Sequence, residues 1–217
     1  IGLLNIISYL QKKKISKGRL SRDAINIERK ILKEKGGWQD QIIIAHGGLK
    51  FIEFYKNNFL ISNTGLDEKN IKKLADSLVL FYTGSNRESY KIQKFYINNI
   101  NNLNLELKDI NNLAHNAKEI ISSGKNLNEI GRLLNESWKI KKQFSKKVSN
   151  PKVDFIYETG IKAGATGGKL LGAGKSGFIL FYCPKDKQKN LILKLKKFIH
   201  VPFNFINQGS TIIDKIG

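Results

Sequence analysis

Apolar residues recur at three- and four-residue intervals over most of this chain, and a few short continuous apolar runs break that rhythm. Ile1, Leu3, Leu4, Ile7, Tyr9 and Leu10 crowd together at helical spacing, so the chain opens inside a helix. Leu20, Ala24, Ile27 and Ile31 follow a four-three-four spacing with Lys and Arg opposite, and Gly36-Gly37 is a stop, which predicts a helix from Leu20 to Lys35. Glu28 lies four residues after Ala24 and four before Leu32, so its carboxylate borders the apolar stripe. The apolar run from Gln41 to Ala45, the Gly47-Gly48 turn and the alternation from Lys50 to Tyr55 together predict a hairpin. The polar stretch from Lys56 to Asp67 then predicts a boundary near residue 65, dividing the chain into domains 1–65 and 66–217.

Beyond it, Leu78 to Thr83 predicts a short buried strand that ends at Gly84, with Arg87 three residues further on. From Asn86 to Lys147 the spacing predicts helix. This includes the Asn-rich stretch 98–112, where Ile97, Ile100, Leu103, Leu107 and Ile110 hold the rhythm against poor propensity. Asn150-Pro151 marks a helix start, with Asn as cap and Pro at the first helical position, and Gly164 can end that helix. There follow a glycine-rich loop from Gly164 to Gly177, a strand from Phe178 to Cys183, a basic helix from Lys187 to Lys197, and strands near 199–205 and 210–213. Alternating strands and helices make the second domain a layered α+β sandwich.

Composition changes this picture little. The 217 residues carry 38 Lys plus Arg against 18 Asp plus Glu, a formal charge of +20. Thirty-three Lys, 30 Ile and 22 Asn are the bias a nucleotide-skewed genome produces, so the charge is discounted as a sign of function. A hydrophobic fraction of 41% with 10% aromatics excludes a disordered chain. No run of 18 apolar residues exists, so no membrane span is expected, and a single cysteine, Cys183, fits the reducing cytoplasm. The absence of Met and of a basic segment before the opening apolar run argues against a signal peptide and for a fragment of a longer protein.

Chemistry is concentrated in GATGGKLLGAGKSGFILFYC, residues 164–183, which place six glycines in fourteen residues ahead of a strand. Such a loop either cradles an anion on successive backbone N–H groups or forms a tight hairpin between 169–171 and 178–183, and composition leaves both open. It is not a Walker A loop: Lys169 stands where the first glycine before Gly174-Lys175-Ser176 is required. GGWQDQ sets Asp40 in a glycine-opened loop twelve residues after Glu28. Two such carboxylates can divide a phosphoryl-transfer task, one holding Mg²⁺ and one deprotonating a hydroxyl, although an Asp in such a loop is more often a turn residue. His46, His115 and His200 have no metal-ligand spacing, and no G-x-S-x-G elbow occurs. Scattered lysines, scarce arginine and no aromatic-bearing RNA motif argue against a nucleic-acid-binding module.

GGWQDQIIIAHGGLKFIEF, LVLFYTGSNR, the stretch from Ile130 to Cys183 with Trp138, Lys141 and Lys142, and FIHVPFNFINQGSTII together resemble the GHMP kinases over nearly the whole chain. Within that superfamily they look like the sugar kinases acting at the anomeric position, those for heptose 7-phosphate first and the L-fucokinases next. The resemblance implies an N-terminal α/β domain, here truncated, and a C-terminal ferredoxin-like α+β sandwich. It also implies a cytoplasmic enzyme that uses ATP and Mg²⁺ to phosphorylate the C1 hydroxyl of a heptose 7-phosphate, toward nucleotide-activated heptose for surface polysaccharide. Asp40 matches the catalytic aspartate and Glu28 the acidic helix residue associated with Mg²⁺. Gly37, Gln39, Thr83 and Gly84 fall where the sugar is expected, and Arg87 is assigned to the 7-phosphate from its charge. Gly168, Lys169, Gly172, Ala173, Gly174 and Ser176 match the phosphate loop. Here Lys175 and Ser176 replace the middle two of the family's four glycines, adding charge to that loop. The family's first sugar-binding motif and its ATP loop would lie upstream of residue 1, so the 217 residues alone are expected not to turn over.

Overall fold

A computed structural model describes residues 1–84, 95–96, 98–145 and 147–213. The chain divides into two compact units, one formed by residues up to Thr64 together with the segment that begins at Phe205, the other by Gly65–Asn204. The returning segment is a difference from the linear reading, which gave everything after residue 65 to the second domain.

In the first unit, α1 (Gly2–Leu10) precedes α2 (Lys17–Asn26), whose start is capped by the Ser16 hydroxyl accepting from the Arg19 N–H at 3.2 Å. The helix predicted from Leu20 onward widens at Ile27–Ile31 into a π turn, with the Leu32 N–H reaching the Ile27 carbonyl at 2.8 Å. The apolar run after Trp38 is not a strand: Gln39–His46 is a helix, α3. Gln41, Ile42 and Ala45 are its buried residues, at one- and three-residue intervals that suit a helix, while Ile44 faces out. The hairpin pairs β1 (Lys50–Tyr55) with β2 (Asn58–Asn63), closing Tyr55 against Asn58, so half of it lies inside the polar stretch read as a linker. Ile25, Ile42 and Phe59 form the core of this unit, with Trp38, Ile52 and Ile61 packed against them.

The segment from Phe205 forms no strand at 210–213. It docks by backbone hydrogen bonds, Gly48 N–H to the Ile206 carbonyl and Ser210 N–H to the Ile44 carbonyl, both 2.8 Å. Gly47 and Gly209 permit that approach. A Cβ on Gly47, at φ 69°, would stand 2.6 Å from the Gln208 oxygen, and one on Gly209 would stand 2.7 Å from the His46 carbonyl carbon.

The second unit begins with α4 (Glu68–Asp76), capped by Asp67, and β3 (Leu78–Gly84), whose inward residues Val79, Phe81 and Thr83 alternate. The long helical pattern resolves into a 3₁₀ turn at Ile100–Asn102, then α5 (Asn104–Ser123) and α6 (Glu129–Phe144). The Asn-rich stretch breaks into that turn before α5, as its weak propensity favours. Next come α7 (Pro151–Lys162), β4 (Gly167–Leu170), β5 (Gly177–Tyr182), α8 (Lys185–Lys194) and β6 (Ile199–His200). The Asn150 side chain caps α7, accepting from the Val153 N–H at 3.0 Å. The sheet is antiparallel in the order β4-β5-β3-β6. A βαββαβ unit with its first and third strands central is the ferredoxin-like arrangement. Phe81, Trp138, Ile156, Leu170, Ile179 and Phe181 are fully enclosed in its core. Among the described residues no helix is long and apolar enough to cross a membrane.

Candidate functional site

The acids lie in the first unit. The π turn places Glu28 beside α3, where its Oε2 accepts a hydrogen bond from the amide of buried Gln41 and stands 3.5 Å from the Arg29 guanidinium. Arg29 also donates to the Gly37 carbonyl at 2.6 Å and to the Glu34 carbonyl at 3.3 Å, pinning the loop that leads into α3. One guanidinium therefore fixes both the carboxylate and the entry to the Asp40 helix. Asp40 is in the first turn of α3, not in a loop before a strand, and it is exposed, as is Gln39 beside it. A carboxylate there gains from the helix dipole, and no described residue bonds to the Asp40 side chain, which leaves both oxygens open to a ligand. Arg29 and Gln41 were not singled out by the sequence reading; their signal was adjacency, Arg29 to Glu28 and Gln41 to Asp40.

The glycine loop is in the second unit. Its first half is strand: Gly167–Leu170 pairs with Ile179–Tyr182, so the segment is a hairpin whose loop proper is 171–176. Gly168 belongs to the strand. A Cβ there would stand 2.7 Å from the Phe181 ring and 2.8 Å from the Leu180 carbonyl, so its glycine serves packing.

Of the two readings left open for this segment the hairpin is observed, and a hairpin tip can also present backbone amides to an anion. Every loop carbonyl from Gly172 to Lys175 is already bonded. Lys141 Nζ donates to Gly172, the Tyr96 hydroxyl to Ala173 at 2.8 Å, the Ser176 N–H to Gly174 at 2.8 Å, and the Asn150 amide to Lys175 at 2.6 Å. By contrast the N–H groups of Gly172, Ala173 and Gly174 meet no acceptor among the described residues, and nothing lies within 4 Å of a Cβ built on Gly172. Carbonyls tied back and consecutive amides left free are what an anion needs.

Thr83 anchors the far end of this loop. Its buried hydroxyl accepts from the Gly177 N–H at 3.0 Å and donates to the Gly177 carbonyl at 3.1 Å. The hydroxyl expected near a sugar is thus spent on the loop. Gly84 follows at φ 99°. Arg87 lies outside the described residues.

Two lysines converge beneath the loop. α6 lies directly on β4, since a Cβ on Gly167 would overlap the Gly131 carbonyl, and this contact brings Ser137 and Lys141, one turn apart on α6, against Lys169 on β4. Lys169 Nζ donates to the Ser137 hydroxyl at 3.0 Å. Burial and the neighbouring Lys169 push Lys141 down to about 8, and burial also lowers Lys169.

Residues 110–200 match the family model described as GHMP kinases C terminal. Residues 110–200 carry a GHMP kinase C-terminal domain. The D-glycero-alpha-D-manno-heptose 7-phosphate kinase of Campylobacter jejuni is 32% identical over 201 residues, 91% of this chain and 59% of that protein. An Arabidopsis thaliana bifunctional fucokinase/GDP-fucose pyrophosphorylase is 28% identical over 176 residues, 78% of this chain and 16% of that protein. Among solved structures, a D-glycero-D-manno-heptose 1-phosphate kinase from Bacteroides thetaiotaomicron superposes with a TM-score of 0.70 at 26% identity, covering 95% of this chain and 58% of that one. The chain thus spans about six-tenths of the length of the heptose kinases it matches. The GHMP kinase fold accounts for the ferredoxin-like second unit.

Proposed function

We propose that the protein, in its full length, is an ATP-dependent sugar-phosphate kinase that phosphorylates the anomeric hydroxyl of D-glycero-D-manno-heptose 7-phosphate. The observation that carries this reading is the loop at 172–174, whose amides meet no acceptor among the described residues while its carbonyls are bonded, within a chain most of which resembles a heptose 7-phosphate kinase. The loop holds phosphoryl oxygens. Asp40 accepts the proton of the C1 hydroxyl as that oxygen bonds to the γ-phosphorus; the bond to the bridging oxygen breaks and ADP leaves. Arg29 and Gln41 hold Glu28 in one orientation, and no described residue bonds to its other oxygen. That donor fits Mg²⁺, which takes one or two carboxylates and completes its shell with water and phosphate oxygens. When bound, the ion neutralises charge on the phosphates. Gly37, Gln39 and Gly84 border the sugar and Arg87 meets the 7-phosphate, while Thr83 positions the loop. In the cytoplasm the product feeds nucleotide-activated heptose synthesis for surface polysaccharide.

The test is ADP release by the full-length protein over a panel of sugars and sugar phosphates. Heptose 7-phosphate is expected to support turnover, and Asp40→Asn to abolish it with an unchanged melting curve. ADP release indifferent to heptose 7-phosphate, or substantial kcat in Asp40→Asn, overturns the reading. Similarity to the plant fucokinase favours L-fucose as the second candidate, and turnover of that unphosphorylated sugar alone selects it.

A further inference from the structure

The described basic side chains divide by what they face. A cavity of about 630 Å³ in the first unit is lined by Arg19, Arg22 and Arg29, yet each is engaged: Arg19 with Asp23 at 2.8 Å, Arg22 with Asn58 at 3.0 Å, and Arg29 with Gly37 and Glu28. Lys141 and Lys169 are the opposite case. They are half-buried, face one another, and among the described residues donate only to neutral oxygens, the Gly172 carbonyl and the Ser137 hydroxyl.

No carboxylate among the described residues is within ion-pair reach of either. Of the acids on α6 and α7, Glu129 and Glu136 pair with Arg132, at 2.8 and 2.7 Å, and Asp154 accepts from Ser149 at 2.8 Å, with Lys142 at 3.7 Å. The remaining titratable groups around the loop are Tyr96, on the Ala173 carbonyl, Tyr157, bonded to Asn135, and Lys175 within the loop. A cavity of about 180 Å³ between α5 and α6 reaches Ser137 and Lys169, and its other walls, such as Ile110, Leu113 and Leu133, are apolar. Two like charges withdrawn from water without a counter-ion are a costly arrangement, relieved when an anion arrives.

We infer that Lys141 and Lys169 form a paired ammonium site that completes the glycine loop, taking the charge of a phosphoryl group whose oxygens sit on the amides of Gly172, Ala173 and Gly174. Lys141 couples the two parts, because the ammonium that faces Lys169 also holds the Gly172 carbonyl back and so keeps the neighbouring amides presented. This inference rests on the kinase reading only for the source of the anion, which is either the nucleotide's phosphate chain or the sugar's own phosphate.

Amine acylation of the full-length protein followed by mass spectrometry tests it, with exposed Lys185 and Lys189 as internal references. Tripolyphosphate or heptose 7-phosphate is added at matched ionic strength. Charging an amine one pKa unit further lowers its reactive fraction about tenfold, so labelling of Lys141 is expected to fall about tenfold relative to the references, and Lys169 with it. Protection by tripolyphosphate alone assigns the pair to the phosphate donor; protection by the sugar phosphate alone assigns it to the acceptor. Unchanged labelling at saturating levels of both overturns the pair, whether or not the preparation turns over. Protection without turnover of any sugar leaves the pair standing and removes the kinase reading. A second arm uses Lys169→Met, which is expected to slow Lys141 labelling in the absence of anion, since the like charge that favours its neutral form is gone. Unaltered Lys141 labelling in that variant refutes the coupling.

Discussion

The contact between Gly131 and Gly167 decides where α6 sits, and Gly167→Ala tests it. A methyl at 167 would overlap the Gly131 carbonyl oxygen, stand 2.6 Å from its carbon and 3.0 Å from the Asn135 Cβ. The first two neighbours are backbone, so no rotamer change relieves the clash; α6 must slide away from β4. Overpacking of this kind costs about 1–3 kcal/mol, and a backbone obstacle puts it at the upper end. For a chain of this length each kcal/mol moves Tm by roughly 2–4 °C, so a fall of roughly 6–12 °C is expected by differential scanning fluorimetry.

The control is Gly172→Ala. Its φ of 75° costs a non-glycine residue about 1–2 kcal/mol, but nothing lies within 4 Å of the added carbon, so the melting temperature is expected to fall by roughly 2–8 °C. The expected functional order is the reverse, because Gly172 is in the proposed amide cradle and Gly167 is not. Equal melting temperatures for the wild type and Gly167→Ala would refute the argument that this contact sets the helix position.

Three other expectations follow from the same geometry. Thr83→Val removes both hydrogen bonds to Gly177 and leaves its partly buried N–H unpaired, a loss of about 1–3 kcal/mol measurable by urea denaturation; an unchanged midpoint refutes the anchoring role. Arg29→Gln leaves Glu28 held by Gln41 alone and frees the Gly37 carbonyl, so under the proposed reaction the full-length protein is expected to need more Mg²⁺ for half-maximal rate, with the Mg²⁺ titration as the readout. Burial, then Lys17 and Lys50, hold the His46 imidazole below its ordinary value of 6.5. The unfolded chain therefore binds that proton more readily, so the contribution of His46 is full above pH 6.5 and is lost as pH falls through the lower folded-state value. Melting curves from pH 7.5 to 5 should show a shallower acid decline in His46→Gln than in the wild type.

The elements that were legible in the sequence are those whose signals are local. The cap at Asn150-Pro151, the alternation of β3 and the glycine content of 164–177 each depend on residues that touch their own neighbours in sequence, and each is found in place. The assignment of the acids and of the glycine loop to different units was legible too. The run from Gln41 to Ala45 was not, because four consecutive apolar residues satisfy a helix and a strand equally. What chose the helix was the burial of Gln41, Ile42 and Ala45 on one face while β1 took β2 as its partner.

Packing likewise decided the roles within the site. The sequence offered Thr83 for the sugar and Gly168 for the phosphate loop; only the distances show that Thr83 is bonded to Gly177 and that Gly168 packs on Phe181. It offered Arg87 for a phosphate, yet it could not reveal that Lys141 and Lys169, twenty-eight positions apart, face one another with no carboxylate among the described residues in ion-pair reach. The return of the chain at Phe205 to the first unit was equally hidden. It depends on Gly47 and Gly209 meeting across the fold, and the absence of a side chain carries no sequence signal until the surface it must clear is known.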